Sequence, residues 1–151
     1  MKEFKSIMPE ITIKYKKGDI HQVKVTCSND IFQILRRMYD SDTVEYNESA
    51  IVIFFDSANK TLGWTKHSSG GTCSNTVDVR GIMVQALLCN ATSICLSHNH
   101  PSGQMSASRE DERMTQKLKD AANTLNIRVL DHIIMSGNME EYYSFADEGR
   151  M

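Results

Sequence analysis

The run Ala50-Ile51-Val52-Ile53-Phe54-Phe55 constrains the fold most, because it is apolar without alternation and so needs apolar partners on both of its faces. It is short and rich in β-branched and aromatic residues, which reads as a strand buried above and below. A sheet built on such a strand needs a covering layer on each side. After Ser57-Ala58-Asn59-Lys60, the segment Thr61 to Ser68 reads as its antiparallel neighbour, and Gly70-Gly71 opens a loop.

The rest of the chain supplies those layers. Asp78 precedes a helical stretch with Ile82, Met83, Ala86 and Leu87 facing inward, and Asn90 stops it before the short strand Ser93-Ile94-Cys95-Leu96. A further helix runs from about Arg109 to Leu125, Ile127 to Met135 reads as a strand, and Gly137-Asn138 turns the chain towards Tyr142-Tyr143-Ser144-Phe145. Upstream, Ile11, Ile13 and Tyr15 alternate with polar residues, as do Val23 and Val25, with Lys17-Gly18-Asp19 between them. That pattern predicts a β-hairpin. Ser28 or Asn29 can cap a helix carrying Ile31, Ile34, Leu35 and Met38 on one face. The expected fold is α/β, a mixed β-sheet sandwiched by helices. Residues 1–43 form an N-terminal hairpin and helix leading into a domain over 44–151, within one compact unit of 151 residues.

Charge and cysteine usage narrow the function. A formal net charge of −2 and a pI near 6.2 give no basic footprint, so no direct nucleic-acid binding is expected. The one basic run, Lys14, Lys16 and Lys17, reads as a solvated hairpin edge. Cys27, Cys73, Cys89 and Cys95 contain no C-x-x-C pair and read as reduced, structural thiols. With no signal-peptide pattern and no apolar run of membrane-spanning length, the chain reads as cytoplasmic, with no membrane partner.

The chemistry lies in Ser97-His98-Asn99-His100-Pro101-Ser102-Gly103, followed by Ser108 and Asp111. In an extended segment His98 and His100 point to one side while Asn99 points away, and Asp111 falls in the first turn of the next helix. Two imidazoles and a carboxylate make a three-ligand set of the kind found in catalytic zinc sites, which keep a fourth position for water. Each part also has a plainer explanation. Ser108 to Asp111 fits a helix-capping box, and two histidines in a loop can simply bond backbone carbonyls. Capping and ligation by Asp111 are compatible.

The segments His98 to Gly103 with Ser108 and Asp111, then Leu130-Asp131-His132-Ile133-Ile134 and Tyr143-Ser144-Phe145-Ala146-Asp147-Glu148-Gly149, resemble a RadC-type JAB/MPN domain carrying the JAMM metallopeptidase motif. The resemblance covers about residues 44 to 149, and Gly70, Gly71, Asp78 and Arg80 also fit it. It implies a cytidine-deaminase-like layered architecture and a zinc ion on His98, His100 and Asp111. It further implies a glutamate acting on the attacking water, which Glu48 matches with Glu45 as competitor, and Ser108 as donor to the oxyanion. Residues before Glu45 resemble the leader of short, free-standing members, without the helix-hairpin-helix segment of longer ones.

The implied function is that of a zinc metallopeptidase or isopeptidase-like hydrolase, whose partner is a peptide or isopeptide substrate. The alternative is a DNA-repair or replication-associated accessory protein that works with DNA-repair proteins and hydrolyses nothing relevant. A non-haem iron oxygenase also uses two histidines and a carboxylate. The H-x-E plus P-C-x-x-C signature of zinc deaminases is absent. His132, in an apolar strand, reads as a core histidine, and Asp131 stands where it can orient that ring or a ligand. Trp64 and His67 read as structural or substrate-wall residues.

Overall fold

The computed structural model describes residues 9–12, 14–15, 18, 21–69 and 77–151. They build a five-stranded mixed sheet in the order β2-β1-β3-β4-β5, from β1 (Ser49–Phe55), β2 (Thr61–Ser69), β3 (Ser93–His100), β4 (Arg128–Ser136) and β5 (Tyr142–Ser144). Only β3 and β4 run parallel; β1 is antiparallel to β2 and β3, and β5 to β4. Three helices cover the sheet: α1 (Ser28–Leu35), α2 (Val79–Leu88) and α3 (Arg109–Thr124).

Every residue of β1 is buried, as its unbroken apolar run requires. Ala50, Val52 and Phe54 join Ile82, Met83, Ala86, Leu118 and Ala122 in a core beneath α2 and α3. Ile51, Ile53 and Phe55 join Ile31, Phe32, Leu35, Tyr39 and Val44 in a second core on the α1 side. The α/β sandwich expected from the sequence is therefore the fold.

Two helix endings set the strands that carry the site. Asn90 and Asn126 adopt φ of 54° and 56°, and the next residues, Ala91 and Ile127, donate from backbone N–H to the carbonyls of Ala86 and Ala122. This is the Schellman arrangement, with asparagine in the left-handed position that glycine more often fills. Buried Ala91 and Ile127 lock each stop onto the core, so β3 and β4 start close behind their helices and lie side by side.

The N-terminal expectations need correction. The turn residues Lys17 and Asp19, with Ile13, lie outside the described residues. Val23 and Val25 exchange backbone hydrogen bonds with Thr61 and Asn59, so among the described residues this run extends the β1–β2 turn and pairs with none of Ile11, Thr12, Lys14 or Tyr15. Helix α1 is capped at Cys27, not at Ser28 or Asn29. The Ser28 hydroxyl turns inward and donates to Asp147, while the Asp30 carboxylate reaches back to the N–H groups of Thr26 and Cys27. Cys73, Gly70 and Gly71 also lie outside the described residues.

Candidate metal centre

Strand β3 extends through both histidines, so alternation puts His98 and His100 on the α2/α3 face with Leu96, and Asn99 on the opposite face. Pro101 begins a turn closed by the Gly103 N–H donating to the His100 carbonyl, with Gly103 at φ 75°. Helix α3 then starts beside the end of β3. Ser108 is its N-cap: the Ser108 hydroxyl accepts from the Asp111 N–H at 3.1 Å, and the Ser108 N–H donates to Asp111 Oδ2 at 2.8 Å. This reciprocal box fixes the Asp111 side chain, with Oδ1 turned to His98 and Oδ2 on the His100 side.

The result is a tight convergence. His98 Nε2 lies 2.9 Å from His100 Nε2 and 3.1 Å from Asp111 Oδ1, and His100 Nε2 lies 3.6 Å from Asp111 Oδ2. Glu48 approaches from the residue before β1, and its carboxylate and the two histidines offer ligand atoms all within 4.8 Å of one another. Glu45 is exposed and does not line this groove.

The donor set fits a divalent cation on two grounds. Donors around a tetrahedral zinc at about 2.0–2.1 Å stand roughly 3.3 Å from one another, close to the separations of His98, His100 and Asp111. The outer nitrogen of His100, Nδ1, faces the Gln104 carbonyl at 2.8 Å. A carbonyl only accepts, so Nδ1 carries a proton and Nε2 is the nitrogen that faces His98 and Asp111.

Electrostatics in the cluster are strongly coupled. The Asp111 carboxylate beside it raises the His100 pKa, against the opposing effect of burial. Burial alone would raise the Asp111 carboxyl, but the His100 and His98 rings beside it more than reverse this and hold it well below the ordinary carboxylate range. Behind His98 lies His132, 1% exposed, with Nε2 2.8 Å from His98 Nδ1. Burial, then the neighbouring His98, keeps its pKa well below the ordinary imidazole value, so this ring is neutral. Asp131 does not orient it: that carboxylate is on the other face, bonded to the Ser144 hydroxyl and the Ala146 N–H, and meets His132 only at its backbone N–H.

Two contributors escaped sequence reading. The buried Asn99 side chain accepts from the Ser49 N–H at 2.7 Å and donates to the carbonyls of Val44 and Asn47 at 2.7 and 2.8 Å. It therefore pins the segment that presents Glu48. Gln104 supplies the carbonyl that orients His100. The alternation that turns Asn99 away from His98 and His100 was legible, but its hydrogen-bond partners come from a distant segment.

The centre opens into a groove of about 950 Å³, lined on one side by Tyr46, Asn47 and Glu48 and on the other by residues of α3, including Arg113, Met114 and Lys117. Trp64 and His67 lie on β2 away from this groove, with His67 Nε2 within 3.0 Å of both Thr65 Oγ1 and Gln85 Oε1. Asp78 is the N-cap of α2, which leaves it an architectural role. Among the described residues no helix is long and apolar enough to cross a membrane.

Comparison with known proteins agrees with this geometry. Residues 25–150 match the RadC-like JAB domain. A UPF0758 protein of Flavobacterium johnsoniae is 36% identical over 141 residues, covering 93% of this chain and 59% of that protein. UPF0758 proteins of Haemophilus ducreyi and Aquifex aeolicus are 38% and 32% identical, covering 74% and 88% of this chain and 50% and 55% of theirs. The chain thus spans about half the length of the curated relatives it matches. By the extent of the domain match and the identity to these relatives, the chain belongs to the RadC-like JAB-domain family.

Proposed function

We propose that this chain is a zinc-dependent amide hydrolase acting on a peptide or isopeptide, with His98, His100 and Asp111 holding the ion. The observation that carries this reading is the meeting of two imidazole Nε2 atoms 2.9 Å apart with the Asp111 carboxylate at 3.1 and 3.6 Å, on the floor of an open groove. Asp111 is preferred to Glu48 as third ligand because it faces both nitrogens directly and is held by the Ser108 box. When bound, zinc lowers the pKa of a water from about 15.7 to about 7 and polarises a carbonyl.

The protein groups then divide the work. Glu48 takes the proton of the attacking water on a carboxylate oxygen and returns it to the leaving nitrogen. The Ser108 hydroxyl, whose oxygen accepts from Asp111 N–H, keeps its own proton free to donate to the developing oxyanion. Arg113, Met114 and Lys117 form the wall along which a substrate chain lies.

The test is a turnover assay of the zinc-loaded protein on a peptide and isopeptide library, run beside Glu48→Gln and Glu45→Gln. The parent and Glu45→Gln should cleave, and Glu48→Gln should retain zinc and lose cleavage. Absence of any zinc-dependent cleavage by the parent would favour a non-hydrolytic, DNA-repair-associated accessory role. Activity in Glu48→Gln with loss in Glu45→Gln would move the base to Glu45.

A further inference from the structure

We infer that Thr115 and His132 form a proton-ordered relay that fixes which nitrogen of His98 faces the metal centre. The inference rests on the ligand assignment proposed above. The Thr115 hydroxyl lies 2.7 Å from the Asp111 backbone carbonyl and 2.6 Å from His132 Nδ1. A hydroxyl has one proton, and the carbonyl has none to give, so that proton goes to Asp111. Thr115 Oγ1 must then accept, which places a proton on His132 Nδ1.

The His132 ring is buried against Thr115, His98 and the stacked ring of Phe145, the Asp131 carboxylate reaching only its backbone N–H, and burial keeps the ring neutral. Its Nε2 therefore carries a lone pair. Facing it at 2.8 Å, His98 Nδ1 must be the donor, which leaves Nε2 as the His98 nitrogen available for ligation beside His100 and Asp111. From the Thr115–Asp111 carbonyl contact onward, each donor in this order has one acceptor, and the order ends with His98 Nε2 as the nitrogen presented for ligation. The relay starts on the backbone of one proposed ligand and ends on another, across α3, β4 and β3.

His132 and Thr115 are positioning residues: neither lies among the converging donor atoms. Removing the hydroxyl lets His132 shift its proton to Nε2, which would turn His98 into an Nε2–H donor that cannot ligate. Outer hydrogen-bond partners of this kind typically carry about 10- to 100-fold in metal affinity.

The experiment reads tautomers and zinc affinity, with no turnover measured. Long-range proton–nitrogen correlation spectra of the full chain, zinc-loaded and chelated, should show His98 and His132 both protonated at Nδ1 in each form. Zinc titration against a competing chelator should show Thr115→Val weakened about 10- to 100-fold and Thr115→Ser restored to near the parent. A chelated parent with His98 protonated at Nε2 overturns the relay, as does a folded Thr115→Val that binds zinc like the parent. A parent with the predicted tautomers and zinc affinity that cleaves nothing would defeat the hydrolase reading alone.

Discussion

Ser108 separates chemistry from architecture at a single hydroxyl. Ser108→Ala should lose about 1 kcal/mol of stability through the helix cap. It should also slow turnover by about 10²- to 10³-fold if the hydroxyl serves the oxyanion, with zinc content unchanged. Thermal melts, metal analysis and turnover on the same variant distinguish the two losses; a normal rate with a lowered melting temperature would leave Ser108 a cap only. His98, His100, Ser108 and Asp111 were legible because their meeting is local: one strand's alternation, one turn and one helix start bring them together. His132 was not. Its apolar strand gives the same signal for a satisfied core histidine as for one that touches the site, and it is both buried and bonded to His98. Only the β3–β4 register, which sets His132 beside Leu96 on the face shared with His98, distinguishes it.

Among the elements, β3 does the most, because its alternation gives one face to the histidines and the other to Asn99. Asn99→Ala would leave the Ser49 N–H and the Val44 and Asn47 carbonyls without this partner, at a cost of about 1–3 kcal/mol for each group that stays unsatisfied. The expected result is a destabilised protein that retains zinc but loses turnover disproportionately, since Glu48 is no longer held; equal activity per folded molecule would contradict this. The turn after β4 is a second constraint. A Cβ at Gly137 would stand 3.0 Å from the Pro101 carbonyl oxygen, which belongs to the backbone next to His100. Gly137→Ala should therefore displace that turn, costing about 1–3 kcal/mol by denaturant unfolding and weakening zinc binding. The helices and strands from Ser49 onward followed from hydrophobic period and the asparagine stops, although Leu87, read as facing inward on α2, is exposed. Of the expected N-terminal hairpin, whose turn lies outside the described residues, the second run joins Thr61 and Asn59 through Val23 and Val25, because alternation in a short polar-faced run does not say which edge it joins.

For the molecule as a whole, the sandwich buries titratable groups in the layer where the site lies, and this gives its stability a pH dependence. His132 is held well below the ordinary value of about 6.5 by burial, so below that pH the unfolded chain takes a proton that the folded one refuses. Its contribution is lost as pH falls. His100 is raised by Asp111, so its contribution is complete below about 6.5 and lost only as pH rises through its folded value. Asp111, held low, loses its contribution only at still lower pH. Asp131, raised chiefly by burial, works the other way and regains stability as pH falls. In urea unfolding the chelated parent should therefore lose more stability than chelated His132→Gln from about pH 6.5 to pH 4.5, and an equal pH dependence of the two would contradict a neutral His132. The most direct test of the central claim is a crystal structure of the zinc-loaded protein with anomalous data at the zinc edge. The account predicts one peak per chain within about 2.0–2.2 Å of His98 Nε2, His100 Nε2 and an Asp111 oxygen, with Glu48 outside that distance. A peak bonded to Glu48 in place of Asp111, or no peak between the two histidines, would contradict it.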